Sequence, residues 1–393
     1  MCMAVTRLMP TPESEDLIAL VRDIAAKEVA PKADRYEKNA EFPAEVFHTL
    51  GEAGLLGLPF DEEFGGANQP YEVYLQCIEE LSSAWMAIGV GVSIHVLTCF
   101  PINSYGTQEQ KERLLPSMIG GEWFGSYCLS EPAAGSDVAS MRTKAVGSGD
   151  VDETGRSEEY AISGGKMWIS HAGHADFYTT FARTGENDGK GISCFHVPGD
   201  APGLTFAEPE RKMGLHSDTV REVLYDKVTV PGENLIGTPG KGLGIALAAL
   251  DSGRLGIAAA STGLAQAATD LALKYAAERQ QFGKPIAENQ GLQFMLADMQ
   301  AQTSAARATY LHAARLKDAG KKFSREAAIA KLFASDTAMK VTTDAIQVLG
   351  GYGYTTDFPA ERYFRDAKIT QIFEGTNQIQ RMVIARDMLK SLG

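Results

Sequence analysis

The segment Leu243–Glu278 constrains the fold most, because it is rich in Ala and Leu, holds no proline and carries few charges. Ala and Leu favour helix. Roughly ten uninterrupted turns at 3.6 residues each, with so little polar surface, need other helices packed around them. Leu292–Ala319, Ser324–Leu349 and Thr376–Leu392 repeat the helical pattern, so 241–393 reads as a C-terminal four-helix bundle. Gly240-Lys241-Gly242-Leu243-Gly244 matches neither GxGxxG nor a Walker A loop and reads as a helix-entry turn.

The first 124 residues are helical as well. Ser14 is placed to cap a helix whose apolar Leu17, Val21, Ile24 and Ala25 recur at three- and four-residue spacing, ending before Pro31. A second helix starts near Pro43 and stops at Gly54, and Glu72–Leu97 and Gln108–Ile119 continue the pattern. Between 125 and 240 the texture changes to short β-branched and aromatic runs, Phe177–Ala182, Gly191–Val197 and Val223–Val230. Turn clusters such as Pro198-Gly199-Asp200 and Pro231-Gly232-Glu233-Asn234 separate them, and the acidic Gly147–Glu159 reads as a surface hairpin loop. The expected fold is multidomain α+β: an N-terminal α-helical bundle (1–124), a middle β-sheet domain (125–240) and the C-terminal bundle (241–393).

Charge narrows the partners. Fifty acidic residues against 37 basic ones give a net charge of −13, which argues against nucleic acid held by bulk electrostatics. Five cysteines, Cys2, Cys77, Cys99, Cys128 and Cys194, are odd in number and widely spaced, with no CxxC pair and no metal-ligand spacing, and read as reduced thiols. No apolar run reaches the ~18–20 residues of a membrane span; Trp85–Phe100 comes nearest and reads as a buried helix. Met1–Pro12 lacks a signal or transit pattern, so a soluble cytoplasmic protein is expected. The histidines are scattered, and no Gly-x-Ser-x-Gly elbow is present.

Three segments hold chemistry-bearing residues. Tyr127–Asp137 joins hydroxyls, small residues and turn formers, so its backbone N–H groups can approach a large flat or phosphorylated ligand. Lys166–Ser170 sets Trp168 beside Ser170 in a strand-like run. Gln347–Tyr354 and Gln371–Gln378 form the third, with Glu374 between apolar Ile372 and Phe373 and the flexible Gly375. Apolar neighbours disfavour a charged carboxylate and raise its pKa toward that of a useful base. Thr376 is placed to cap the following helix.

In order and spacing, Tyr127–Asp137, Gln281–Ile286 with Gln290, and Gln347–Gln378 resemble the acyl-CoA dehydrogenase family over nearly the whole chain. The resemblance implies an FAD enzyme with an acyl-CoA substrate. It assigns Tyr127, Leu129, Ser130, Gly135 and Ser136 to the flavin cradle, and Trp168, Ile169 and Ser170 to the isoalloxazine, with the Ser170 hydroxyl reaching N5. Arg279, Phe282, Gln290, Gln347, Val348, Leu349, Gly350 and Gly351 would hold the FAD of a neighbouring subunit in a homotetramer, and Thr376 and Gln378 would add contacts. Ser136, Asp251, Arg254, Phe373 and Gly375 would face the acyl-CoA. Many relatives carry Thr where this chain has Ser170; the donor is kept.

The implied reaction is conversion of a saturated acyl-CoA to trans-2-enoyl-CoA, with Glu374 abstracting the α proton, flavin N5 accepting the β hydride and electrons passing to electron-transfer flavoprotein. Some relatives supply the base from the position that Gly253 occupies; glycine has no side chain to do so, which makes this sequence similar to the short- and medium-chain type. An acyl-CoA oxidase using oxygen is a near alternative. A non-catalytic flavoprotein on this scaffold is a second, disfavoured by Glu374 and by the net charge. The long Gly147–Glu159 stretch departs from many relatives but lies away from the motifs.

Overall fold

A computed structural model describes residues 5–185, 191–390 and 392; Cys2 lies outside these. The helix α1 (Pro12–Ile24) is capped by Thr11, whose hydroxyl accepts from the Ser14 N–H at 3.2 Å. The expected cap, Ser14, instead sits buried inside the first turn. The helical path also runs past Pro31, through a π turn at Ala25–Val29 and a 3-10 turn at Ala30–Lys32, into α2 (Ala33–Asn39). Pro31 fits there because it lies at the start of a new turn, where its missing N–H has no intrahelical partner to lose. After α3 (Ala44–Glu52), the expected helix Glu72–Leu97 is two, α4 (Tyr71–Ala84) and α5 (Met86–Tyr105). The break is Trp85, held extended while its indole N–H donates to Glu37 Oε1 at 2.9 Å and its ring stacks on Tyr36. A reciprocal Thr107–Gln110 capping box starts α6 (Gln108–Ile119).

The middle of the chain forms one sheet from β1 (Gly125–Cys128), β2 (Lys144–Val151), β3 (Ser157–Ser170), β4 (Phe177–Arg183), β5 (Ile192–Pro198), β6 (Leu204–Phe206), β7 (Val220–Pro231) and β8 (Leu235–Ile236). The order is β6-β7-β3-β2-β4-β5-β8, with β1 parallel to β4. The acidic stretch is the β2–β3 hairpin, turning through 152–156.

Helices then resume as α7 (Gly242–Glu278), a small hairpin of β9 (Gln280–Gln281) and β10 (Lys284–Pro285), α8 (Gln290–Asp318), α9 (Ser324–Leu349), α10 (Gly351–Tyr354), α11 (Ala360–Thr370) and α12 (Asn377–Lys390). α7 is buried on every side along most of its length, between α8 and α9 on one flank and α4 and α5 on the other. The two helical blocks therefore share one continuous apolar core. Gly263 permits the α4–α7 approach, since a Cβ there would run into the Glu79 carbonyl and the Ser83 nitrogen. By length and composition α5 and α7 are both able to cross a membrane, against the expectation above, because the few charges of α7 leave an apolar window between them. Their apolar windows are 89% and 67% buried inside the fold, as befits core helices.

One charged cluster locks the blocks together. Glu79 of α4 is buried and receives Arg307 of α8 (2.7 and 2.9 Å), Arg7 (3.2 Å) and the Tyr310 hydroxyl. Burial alone would raise its pKa; Arg7 and Arg307 overcome that and hold it at about 2. Glu79→Ala leaves the Arg307 guanidinium without its counter-ion in the interior, while Arg7 keeps Glu80 at 2.7 Å, a change worth roughly 3–5 kcal/mol. Thermal and denaturant unfolding should show that loss, while Glu72→Ala, at a far more exposed pair with Arg315, should change stability by less than about 1 kcal/mol.

Candidate active site

Between α11 and α12 the chain turns sharply, with Glu374 at φ +49° and Gly375 at φ +90°. A left-handed glutamate costs on the order of 1–3 kcal/mol, so the surroundings must impose it. Lys331 of α9 donates to the Gly375 carbonyl (2.8 Å) and to Asn377 Oδ1 (3.1 Å). Gln380 of α12 reaches back to the same carbonyl (2.8 Å) and to that of Glu374 (3.4 Å). Thr376 caps α12, accepting from the Ile379 N–H at 3.3 Å.

Both Glu374 carboxylate oxygens are buried and have no hydrogen-bond partner among the described residues. Burial raises the carboxyl pKa to about 7, with Lys331 and Arg254 pulling it back. A carboxylate that is buried, without a hydrogen-bond partner among the described residues and titrating near neutrality is suited to take a proton from a weak carbon acid. Arg254 of α7 is itself buried, paired with Asp251 one turn earlier, and Asp251 also accepts from Ser324 at 2.6 Å. Gly253 lies directly opposite Glu374: a Cβ there would strike Glu374 Oε2 and crowd Leu97.

A cavity of about 430 Å³ borders Gly253 and is also lined by Tyr71, Ser93, Val96, Leu97, Asn103, Lys317 and Asp318 among others. Part of α5 walls it. Phe373 is half-buried against the core beside the base.

The β domain contributes a second group of residues. A bulge in the β3–β7 pairing between Lys166 and Ile169 puts Trp168 at φ +64° and turns its indole outward, 60% exposed, while Ile169 points into the core. The neighbouring Ser170 donates to Asp218 Oδ2 at 2.8 Å, and its carbonyl accepts from Ser126 at 2.5 Å. Tyr127 donates to the α7 carbonyl of Ala246 at 3.4 Å, and Leu129 and Ser130 give carbonyls to Lys166 and Met167. Gly135 and Ser136 are exposed, and a Cβ on Gly135 would meet nothing. An aromatic face left in the open beside a hydroxyl and an unobstructed turn fits a flat cofactor with a polar tail.

A second cavity, about 580 Å³, lies at the end of α7 and α9, lined by Tyr275, Arg279, Val348, Leu349, Gly350 and Gly351 among others. Gly350 and Gly351 leave open space where side chains would stand. Phe282, at the tip of the β9–β10 hairpin with φ +53°, is 99% exposed. Gln290, Gln347 and Gln378 are exposed as well and line neither cavity. The residues therefore fall into a base cluster, an aromatic edge and a distal cleft. The proposed base is also felt by Tyr127, whose phenol is pushed up by burial, by Cys194 and by the Glu374 charge.

Lys331, Gln380, Asn377 and Asp218 went unnoticed in the sequence. Lys331 had a readable signal, a lone charge in the Ala-rich run Ala327-Ala328-Ile329-Ala330. Asp218 had none.

Comparison with known proteins adds an independent line. Residues 11–122, 126–228 and 240–389 match the N-terminal, middle and C-terminal domains of acyl-CoA dehydrogenase. An acyl-CoA dehydrogenase of Bacillus subtilis (strain 168) is 44% identical over 381 residues, 96% of this chain and 98% of that protein. The solved butyryl-CoA dehydrogenase of Megasphaera elsdenii is 38% identical with a TM-score of 0.93, covering 98% of this chain and 100% of that one. A chain solved in work on the electron transferring flavoprotein of Acidaminococcus fermentans and flavin-based electron bifurcation is 42% identical with a TM-score of 0.94, covering 98% and 100%.

Proposed function

This chain belongs to the acyl-CoA dehydrogenase family, and from that premise we propose that it oxidises a short saturated acyl-CoA to the trans-2-enoyl-CoA, with Glu374 as the base. The observation that carries the reading is the Glu374 carboxylate: buried, free of hydrogen bonds among the described residues, and facing Gly253, which also lines the 430 Å³ cavity. A thioester makes the α C–H acidic only when the developing enolate is stabilised, and a dry, fixed base acts best in such a site. Proton uptake leaves Glu374 neutral, the form its surroundings favour.

FAD fits the exposed edge of Trp168 beside Ser170 and, when bound, supplies the acceptor for the β hydrogen as hydride. On this chain Tyr127, Leu129, Ser130, Gly135, Ser136, Trp168, Ile169 and Ser170 would hold it, with Thr376 and Gln378. Arg279, Phe282, Gln290 and Gln347–Gly351 would hold the FAD of a neighbouring copy, which makes a homotetramer the working assembly; the bare cleft at Gly350 and Gly351 and the open Phe282 ring support that reading. Asp251 and Arg254, with Ser136, Phe373 and Gly375, would line the acyl-CoA path. The butyryl-CoA enzyme among its relatives supports a short chain, and the A. fermentans structure supports an electron-transfer flavoprotein as acceptor.

The reading is tested by product formation. Incubation with straight and branched acyl-CoAs and an artificial electron acceptor should give the trans-2-enoyl thioester, with kcat/KM highest for short straight chains. Formation of peroxide with oxygen as sole acceptor, at the same rate, would replace the dehydrogenase by an oxidase. Arg279→Ala should keep the fold and lose FAD during dialysis faster than the wild type. Equal retention in an intact oligomer would remove the shared cofactor site.

A further inference from the structure

We propose that Lys331 is a positioning residue for Glu374, clamping the base turn through the Gly375 carbonyl and supplying the cation that favours the ionised carboxylate. This inference rests on the proposed role of Glu374.

Lys331 is fully buried, and an ammonium in a protein interior is costly unless charge compensates it. Its hydrogen-bond partners, the Gly375 carbonyl and Asn377 Oδ1, are both neutral. A neutral donor could also hydrogen-bond those two oxygens, so the turn's geometry alone does not require a charge. What the charge faces is the bare Glu374 carboxylate. The other cation there, Arg254 on α7, is already paired with Asp251, whereas Lys331 has no carboxylate hydrogen-bonded to it among the described residues.

Glu374 is met by Lys331 from α9 and Arg254 from α7, and its own charge reaches the phenols of Tyr71 and Tyr74 on α4 and Tyr127 on β1. Lys331 is met by Glu374, Arg254 and Asp336, the last tied to Asn377 and Gln371 at 2.8 and 2.6 Å. Burial lowers Lys331 to about 7, with Glu374 opposing that fall. Lys331 in turn lowers the Glu374 pKa. Removing the ammonium therefore raises the Glu374 pKa and reduces the ionised fraction near pH 7. Each unit of such a shift lowers the ionised fraction about tenfold on the acid side.

Two variants separate clamp from charge. Lys331→Met removes both, and Lys331→Gln keeps a donor for the Gly375 carbonyl without the charge. The measurements are the pH dependence of single-turnover flavin reduction by a short acyl-CoA in the holoenzyme, and the infrared carboxyl band of Glu374 in the cofactor-free protein, assigned by its loss in Glu374→Gln. In both variants the midpoint should move up by about one pH unit, with the rate falling about fivefold near pH 7, about tenfold well below it, and recovering at high pH, and Lys331→Arg should restore the wild-type midpoint. An unshifted midpoint and carboxyl band in a folded Lys331→Gln or Lys331→Met protein would overturn the proposal. So would a rate lowered equally at every pH. The infrared band reports the coupling even if Glu374→Gln reduces flavin normally, an outcome that would end the base assignment and leave the Lys331 coupling separately readable.

Discussion

Glu374→Gln is expected to leave the protein folded and able to bind FAD, and to slow flavin reduction by acyl-CoA about 10³- to 10⁴-fold, the upper range for losing a general base. The amide keeps the shape of the side chain but has no basic oxygen of useful strength. The wild-type carboxylate is suited to the role by two features. Neither oxygen has a hydrogen-bond partner among the described residues, so none of those bonds must break before a proton arrives. Burial sets the pKa at about 7, so the base is substantially ionised at neutral pH yet strong enough to bind the proton it takes. Because the unionised form is inactive, the wild-type rate should rise with pH through that value. The sign for stability runs the other way: a carboxyl raised from 4.5 to about 7 favours the folded state least once ionised, so Glu374→Gln should make the fold more stable above pH 7. Rapid-mixing absorbance under anaerobic conditions, with FAD content measured on the same sample, checks the rate.

Gly253→Ala should cost about 10²-fold in the same reaction, as a displacement of about 1 Å at a reacting group does. A methyl there would overlap Glu374 Oε2 and press on Leu97 Cδ1. Glu374 cannot retreat easily, because its backbone is fixed on one side by Lys331 and Gln380 through Gly375 and on the other by packing around Phe373. The loss should appear mainly in kcat, with FAD content unchanged. Ala is a better helix former than Gly, so a lowered rate in a protein no less stable would separate displacement of the base from unfolding. A wild-type kcat in Gly253→Ala would show that the base and α7 do not meet as described.

Much of this was legible beforehand, and the parts that were not share a cause. The Ala/Leu content of Leu243–Glu278 required a buried helix, and α7 is one. The spacing of turn clusters located β4, β5 and most of β7, but not β2 or the long β3, whose facing ends lie in the acidic stretch read as a loop. Glu374 stood out because apolar neighbours and Gly375 are local in sequence. What escaped notice is non-local. The break at Trp85 depends on Glu37, far away in the chain. The cap at Thr11 rather than Ser14 is a choice between two hydroxyls a turn apart, which propensity does not separate. The buried character of both long apolar helices was legible, although by length and composition alone each is also able to cross a membrane. Lys331 and Asp218 act through distances that only the folded chain sets, across α9 and across the sheet.

The most direct test of the account is an anaerobic titration of the FAD-loaded wild-type protein with a short straight acyl-CoA, followed by the visible flavin absorbance. The account predicts stepwise bleaching to completion as substrate is added, with enoyl-CoA recovered in proportion to the flavin reduced. A loaded protein whose flavin stays oxidised at saturation, across straight and branched acyl-CoAs alike, would contradict it.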